Sequence, residues 1–115
     1  MKKLLIVICV LLAVGIGFLS TAVYAQSTAE QPLWYEQDAE GNVQIHFYFF
    51  WSKSCPHCLA AHPFVSALPT QYPWLILHEH ELTEHPENAE RYVQMAAALG
   101  EEAQYVPAFF TCGVM

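Results

Sequence analysis

The sequence predicts an α/β domain with the element order β-α-β-α-β. Three observations predict it: a β-branched and aromatic run at Val43–Phe50, two apolar stripes at helical spacing within Cys55–Leu68 and Glu87–Leu99, and a short strand-like run after each stripe.

Within the first run Val43, Ile45, Phe47 and Phe49 share one face, while Tyr48 and Phe50 make the other face apolar too. A strand with two apolar faces belongs in the middle of a covered sheet, so core packing is the role expected of the aromatic stretch His46–Trp51. After Trp51-Ser52-Lys53-Ser54, the residues Cys58, Ala61, Val65 and Leu68 recur at spacings of 3, 4 and 3, the stripe of an amphipathic helix, with Pro63 expected to kink it. Trp74–Leu77, running on toward His80, reads as the second strand. Behind Pro86, the residues Tyr92, Met95, Ala96 and Leu99 again fall on one helical face, and Gly100 supplies a stop. Ala108–Thr111 is the third strand, entered through Val106-Pro107 and closed by a Cys112-Gly113 turn. The first β-α-β unit is long enough for a right-handed parallel crossover. Residues 26–42 are polar and carry Pro32 and an Asp38-Ala39-Glu40-Gly41-Asn42 turn signal. They are expected to form a leader, with Trp34 and Tyr35 packing onto the domain.

The whole chain has 115 residues, a formal charge of −7 and 55% hydrophobic residues. Its N-terminus skews these totals. Lys2 and Lys3 precede an apolar run from Leu4 to Leu19, then Ser20, Thr21 and a Val23-Tyr24-Ala25 sequence suited to signal peptidase. Residues 1–25 therefore read as a secretory signal, with an uncleaved membrane anchor as the alternative, and the remainder is expected in the periplasm or outside the cell. Cys9 follows Ile8 deep in the run, where lipid attachment is not expected. Residues 26–115 keep two basic side chains, Lys53 and Arg91, and all 11 acidic ones, a net charge of −9. With no basic stripe to displace counterions, nucleic acid and anionic lipid are excluded as expected partners.

Export leaves Cys55, Cys58 and Cys112 where thiols can oxidise. The loop in Cys55-Pro56-His57-Cys58 is too short for a good structural staple, so the pair reads as a redox couple. A structural zinc site would bring a second ligand pair at comparable spacing, and the sequence has none, so neither metal nor cofactor is expected there. Cys55 falls where strand hands over to helix, and its sulfur should meet free N–H groups and the positive end of the helix dipole, which favour thiolate. Pro56 suits the first helical position. Cys58 lies three residues on, with Cβ atoms about 5–6 Å apart, and shares the inward stripe. Cys55 is thus the attacking sulfur and Cys58 the resolving one. His57 between them is expected to donate a hydrogen bond or positive charge to the Cys55 thiolate, stabilising the reduced form and making the disulfide a stronger oxidant.

A rival reading comes from the cluster His78, Glu79, His80, Glu81, Glu84 and His85. With Cys55 and Cys58, the imidazoles of His78, His80 and His85 describe a non-enzymatic metal-binding domain. His62, one turn after Cys58, reads as packed or exposed rather than as part of the site. Cys112 reads as a turn thiol, available for an intermolecular disulfide.

Phe50-Trp51 ahead of Cys55-Pro56-His57-Cys58, Pro63 five residues after the second cysteine, and Val106-Pro107-Ala108-Phe109-Phe110 downstream lie in register. From about Val43 to Gly113 the chain resembles the thioredoxin superfamily, and its Cys-Pro-His-Cys tetrapeptide is similar to that of DsbA-type disulfide-bond oxidases of the bacterial periplasm. The resemblance implies a thioredoxin-like sandwich and an exported thiol-disulfide oxidoreductase acting as an oxidant on cysteine-containing exported proteins, served by a membrane redox partner. A reductase or isomerase of the same fold is the runner-up. It also implies that Val106–Pro107 is cis and lies beside the disulfide, where the preceding backbone pairs with a substrate strand; Pro56, Val106 and Pro107 become substrate-binding candidates.

Three departures from the family pattern stand out. Phe49 occupies the position, six before the first cysteine, where the family buries an acid, leaving His46, Glu79 or water to carry the Cys58 proton. The long helical insertion of DsbA-type oxidases is absent. The chain stops at Met115, after the third strand, where the superfamily adds a strand and a helix; a fragment is expected, or a sheet completed by a partner or a second copy.

Overall fold

The computed structural model describes residues 31–115, and the secretory-signal reading of residues 1–25 falls outside them. The elements are β1 (Tyr35–Gln37), β2 (Val43–Trp51), α1 (Pro56–Gln71), β3 (Leu75–Glu81), α2 (Pro86–Ala98) and β4 (Ala108–Thr111). The α/β class and all five expected elements are present, with one strand more.

β2 is the spine of a four-stranded mixed sheet. β3 runs parallel to it, pairing Ile45 with Leu75 through Trp51 with Glu81. Parallel neighbours need a crossover, and α1 supplies it. The opposite edge of β2 is shared by two antiparallel strands, β1 beside Val43–Ile45 and β4 beside Phe47–Phe50. The extra strand, β1, lies in the segment read as a leader. Its residues Tyr35, Glu36 and Gln37 are exposed and carry no apolar alternation. A turn places them: the Asp38 carboxylate accepts from the backbone N–H groups of Glu40 and Asn42 at 3.0 and 2.8 Å, and Gly41 takes φ +85°. Trp34 does pack on the domain, edge-on to Tyr48 with ring centres 6.0 Å apart, whereas Tyr35 stays 68% exposed.

Alternation along β2 sends its aromatic residues to two layers. Tyr48 and Phe50 face α2 and join Tyr92, Met95, Ala96, Ala108 and Phe110 in the main core. Phe49 faces α1, stacked on Phe109 at 5.1 Å and fully buried. Burying a phenylalanine of this kind contributes about 1.5–3 kcal/mol. On α1 the inward stripe carries Cys58 and Val65, both buried, and the helix runs past Leu68 to Gln71. α2 ends as the glycine predicted: Gly100 has φ +74°, its N–H donates to the Ala97 carbonyl, and the Glu101 N–H donates to that of Ala96. That paired closure satisfies carbonyls the last turn leaves open. Among the described residues no helix is long and apolar enough to cross a membrane.

Candidate functional site

Cys55 is the N-cap of α1, in extended backbone at φ −98° and ψ 114°, with Pro56 opening the helix. Its Sγ accepts the backbone N–H of Cys58 at 3.3 Å, the bond an N-cap side chain makes to its helix. The first turn of α1 carries no acidic residue. The Cys58 thiol and the backbone N–H groups of Cys58 and His57 together hold the Cys55 thiol below its ordinary pKa. Cys58 is fully buried, and burial followed by its hydrogen bond to Cys55 pushes its thiol up. The two sulfurs therefore differ in kind: Cys55 is part-exposed with its thiol pKa lowered, and Cys58 is buried with its thiol pKa raised. Both thiols are free.

His57 is exposed; its backbone N–H, rather than its imidazole, reaches Cys55. Across the site the Cys55 thiol donates to the Val106 carbonyl at 3.5 Å, and the Val106–Pro107 peptide bond is cis. Residues 51 apart in sequence thus meet at one sulfur. Pro107 is followed at once by β4, whose pairing with β2 brings this corner to the start of α1.

Behind the cysteines lies a network the sequence did not disclose. The turn preceding Cys55 is closed by its N–H donating to the Ser52 carbonyl at 3.1 Å. Glu81, buried at the end of β3, accepts the N–H groups of Lys53 at 3.3 Å, Thr83 at 2.8 Å and Glu84 at 2.7 Å. Burial works to raise this carboxyl, but the donors from Glu84, Thr83 and Lys53 outweigh it and hold the pKa at about 2. Hydroxyl contacts of Ser52 with Ser54 at 2.8 Å and Thr83 at 2.9 Å, and an ion pair between Lys53 and Glu84, complete the link. The usable signal in the sequence was an acid at a strand end, followed two residues later by threonine in a turn.

The histidine cluster is dispersed. His78 faces the α2 layer, where its Nε2 meets His46 Nδ1 at 2.8 Å and its ring stacks on Tyr48. Burial, then the nearby charges of His46, His80 and Arg91, pushes the His78 imidazole down. His80 bonds Asn88, while His85 stands exposed and paired with Glu87. Among the described residues no three His, Cys, Asp or Glu side chains are placed to hold a metal ion. Glu79 shares the α1 face with Phe49 but is engaged by Ser66 and, at 3.7 Å, by His62. His46 sits on the other face. His62 packs against Trp51 at 4.2 Å between ring centres, and Cys112 is exposed in its turn with φ 49°. No family model, curated protein or solved structure matches this chain.

Proposed function

We propose that the protein is an exported thiol-disulfide oxidoreductase of thioredoxin-like fold, oxidising cysteine pairs of other exported proteins through Cys55 and Cys58. The observation that carries this reading is the seat of Cys55: a helix N-cap whose sulfur accepts the Cys58 N–H at 3.3 Å while facing the Val106 carbonyl at 3.5 Å. The helix-start donors favour this sulfur as thiolate, and a buried partner thiol lies three residues away.

In the oxidised protein a substrate thiolate attacks Cys55 Sγ. The Cys55–Cys58 bond breaks, its electron pair leaves on Cys58, and Cys58 takes up a proton. A second substrate thiolate then attacks its own sulfur in the mixed disulfide, releasing substrate disulfide and the Cys55 thiolate. Two electrons have passed to the couple, and a membrane redox partner removes them. Stabilising the Cys55 thiolate stabilises the reduced form, so the seat supports an oxidant. The Val106 carbonyl meets the sulfur and is the backbone group available to a bound substrate strand, with Pro107 and Pro56 next in the chain to Val106 and Cys55. Cys58 is buried, and its proton exchanges although Phe49, not an acid, occupies the strand position six before Cys55.

Replacing Cys58 with Ala leaves Cys55 unable to be resolved from within, and exported proteins should accumulate on Cys55 as mixed disulfides seen on non-reducing gels. Their absence from a folded Cys58→Ala protein would rule out the oxidoreductase reading. Equilibration with glutathione should place the couple on the oxidising side of the glutathione pool; an equilibrium on the reducing side would turn the assignment to a reductase or isomerase.

A further inference from the structure

We infer that Glu81 is a positioning residue for the Cys55/Cys58 couple, its carboxylate fixing the Ser52–Cys55 turn that seats Cys55 at the start of α1. The inference rests on the oxidoreductase reading and concerns what sets its reactivity.

Lys53 and Ser54 are exposed, and the bonds within the turn all run to Ser52: Cys55 N–H donates to its carbonyl at 3.1 Å, Ser54 N–H to its hydroxyl at 3.1 Å, and the two serine hydroxyls meet at 2.8 Å. Glu81 lies across the sheet, at the far end of the strand that pairs with β2, with Trp51 as its register partner. One of its oxygens accepts both Lys53 N–H, inside the turn, and Thr83 N–H, in the loop after β3; the other accepts Glu84 N–H. A single carboxylate therefore ties the loop before the cysteines to the loop after β3. Ser52 repeats the tie through its hydroxyl contact with Thr83 at 2.9 Å, and Leu82 N–H donates to the Trp51 carbonyl at 2.9 Å. The turn also reaches the second sulfur, since a backbone hydrogen bond from Ser52 lies on Cys58. A carboxylate 8% exposed, with three backbone donors converging on it, is a built anchor. What it anchors is Lys53, two residues before the attacking sulfur.

The sign of the effect separates anchoring from mere charge. A negative charge near a thiol disfavours thiolate, so a Glu81 that acted through charge alone would, when neutralised, make Cys55 more reactive. An anchor works the other way: losing it loosens the N-cap and its hydrogen bond to the sulfur, and Cys55 becomes less reactive. Glu81→Gln keeps the shape but aims an amide N–H₂ at a backbone N–H. In the full chain, reduced, we expect the alkylation of Cys55 by iodoacetamide at neutral pH to slow roughly fivefold, the size of one lost cap bond, and its pH profile to move to higher pH. An unchanged profile, or one moved to lower pH, overturns the inference. If Glu81→Gln does not fold by circular dichroism, Lys53→Pro removes the N–H that Glu81 accepts from the turn, at a position where such turns take proline. Lys53→Ala keeps that N–H and is its control. Slower alkylation in the proline variant alone supports anchoring; equal rates overturn it. Exchange with oxidised glutathione keeps the two readings apart: a wild-type Cys55 that forms no mixed disulfide removes the parent reading and the anchor's purpose together. A wild type that exchanges normally, beside a Glu81→Gln protein with the same profile, removes the anchor alone.

Discussion

The two helices open on the same residue and on opposite electrostatics. Pro56 and Pro86 each take the first helical position, after Cys55 and His85 as N-caps. At α2 the cap side chain accepts no backbone N–H of the helix, and Glu87 in the first turn supplies negative charge to the dipole, paired at 3.2 Å with His85. At α1 the cap sulfur accepts the Cys58 N–H, and the first turn holds no acid. A helix start compensated by a fixed carboxylate is finished; one left without it stabilises whatever anion arrives. On the proposed function that anion is the Cys55 thiolate, and the electrostatics that α2 spends on its own stability are available at α1 for chemistry.

The largest test of that contrast removes the sulfur and keeps the cap. Serine is among the best N-cap residues and accepts the same Cys58 N–H. Cys55→Ser should therefore abolish glutathione-driven formation of the Cys55–Cys58 disulfide while leaving the chemical-denaturation midpoint of the reduced protein close to that of the wild type. A large fall in the midpoint would mean that Cys55 is chiefly structural.

Acid should weaken both starts below the ordinary carboxylate range. Glu81, behind α1, and Glu87, inside α2, both have folded pKa values below the ordinary 4.5, Glu81 at about 2. A carboxyl depressed by folding contributes stability in full above its unfolded value and loses it as pH falls through its folded one. The contribution of Glu81 should thus persist above pH 4.5 and decline steadily from there to about pH 2. Denaturation midpoints across that window should fall less steeply in Glu81→Gln than in the wild type; parallel slopes would show that Glu81 is not depressed.

A smaller effect follows from giving α1 what α2 has. His57→Glu places a carboxylate in the first turn of α1, as Glu87 stands in α2. By the usual strength of charges at helix ends, the Cys55 alkylation rate at neutral pH should drop roughly two- to fivefold while the helix itself is not weakened. An unchanged rate would separate thiolate stability from the dipole.

The reach of the sequence follows the same division between local and distant causes. β2 was legible because β-branched and aromatic residues fill both its faces, and α2 because Tyr92, Met95, Ala96 and Leu99 repeat at helical spacing ahead of Gly100. The cap role of Cys55 was legible too, since strand, proline and cysteine spacing are neighbours in the chain. β1 was not: Tyr35-Glu36-Gln37 shows no strand pattern, and its pairing with β2 is imposed by the Asp38–Asn42 turn and by an edge waiting for a neighbour. Glu81 was seen as one member of a histidine-rich cluster, because its donors at Lys53 and Thr83 come together through a parallel crossover that no local pattern records. The approach of Val106 to Cys55 was expected from family resemblance alone, as nothing in the intervening residues signals it.

The smallest effect belongs at α2, and its smallness is the point. Glu87 is exposed, and its carboxyl is held low first by its own backbone N–H and then by His85. Surface groups of this kind are screened by water and salt, so Glu87→Gln should lower the denaturation midpoint slightly and by less at high salt. It should leave Cys55 alkylation at the wild-type rate, because α2 packs on the opposite face of the sheet from α1. The two helices would then be independent, with α2 a support whose charge can be removed at little cost and α1 a support whose missing charge is its function. A change in Cys55 reactivity on removing Glu87 would show instead that the two helix starts are coupled, and the Asn88 side chain, which donates to the Glu81 carbonyl at 2.9 Å, is the route such coupling would take.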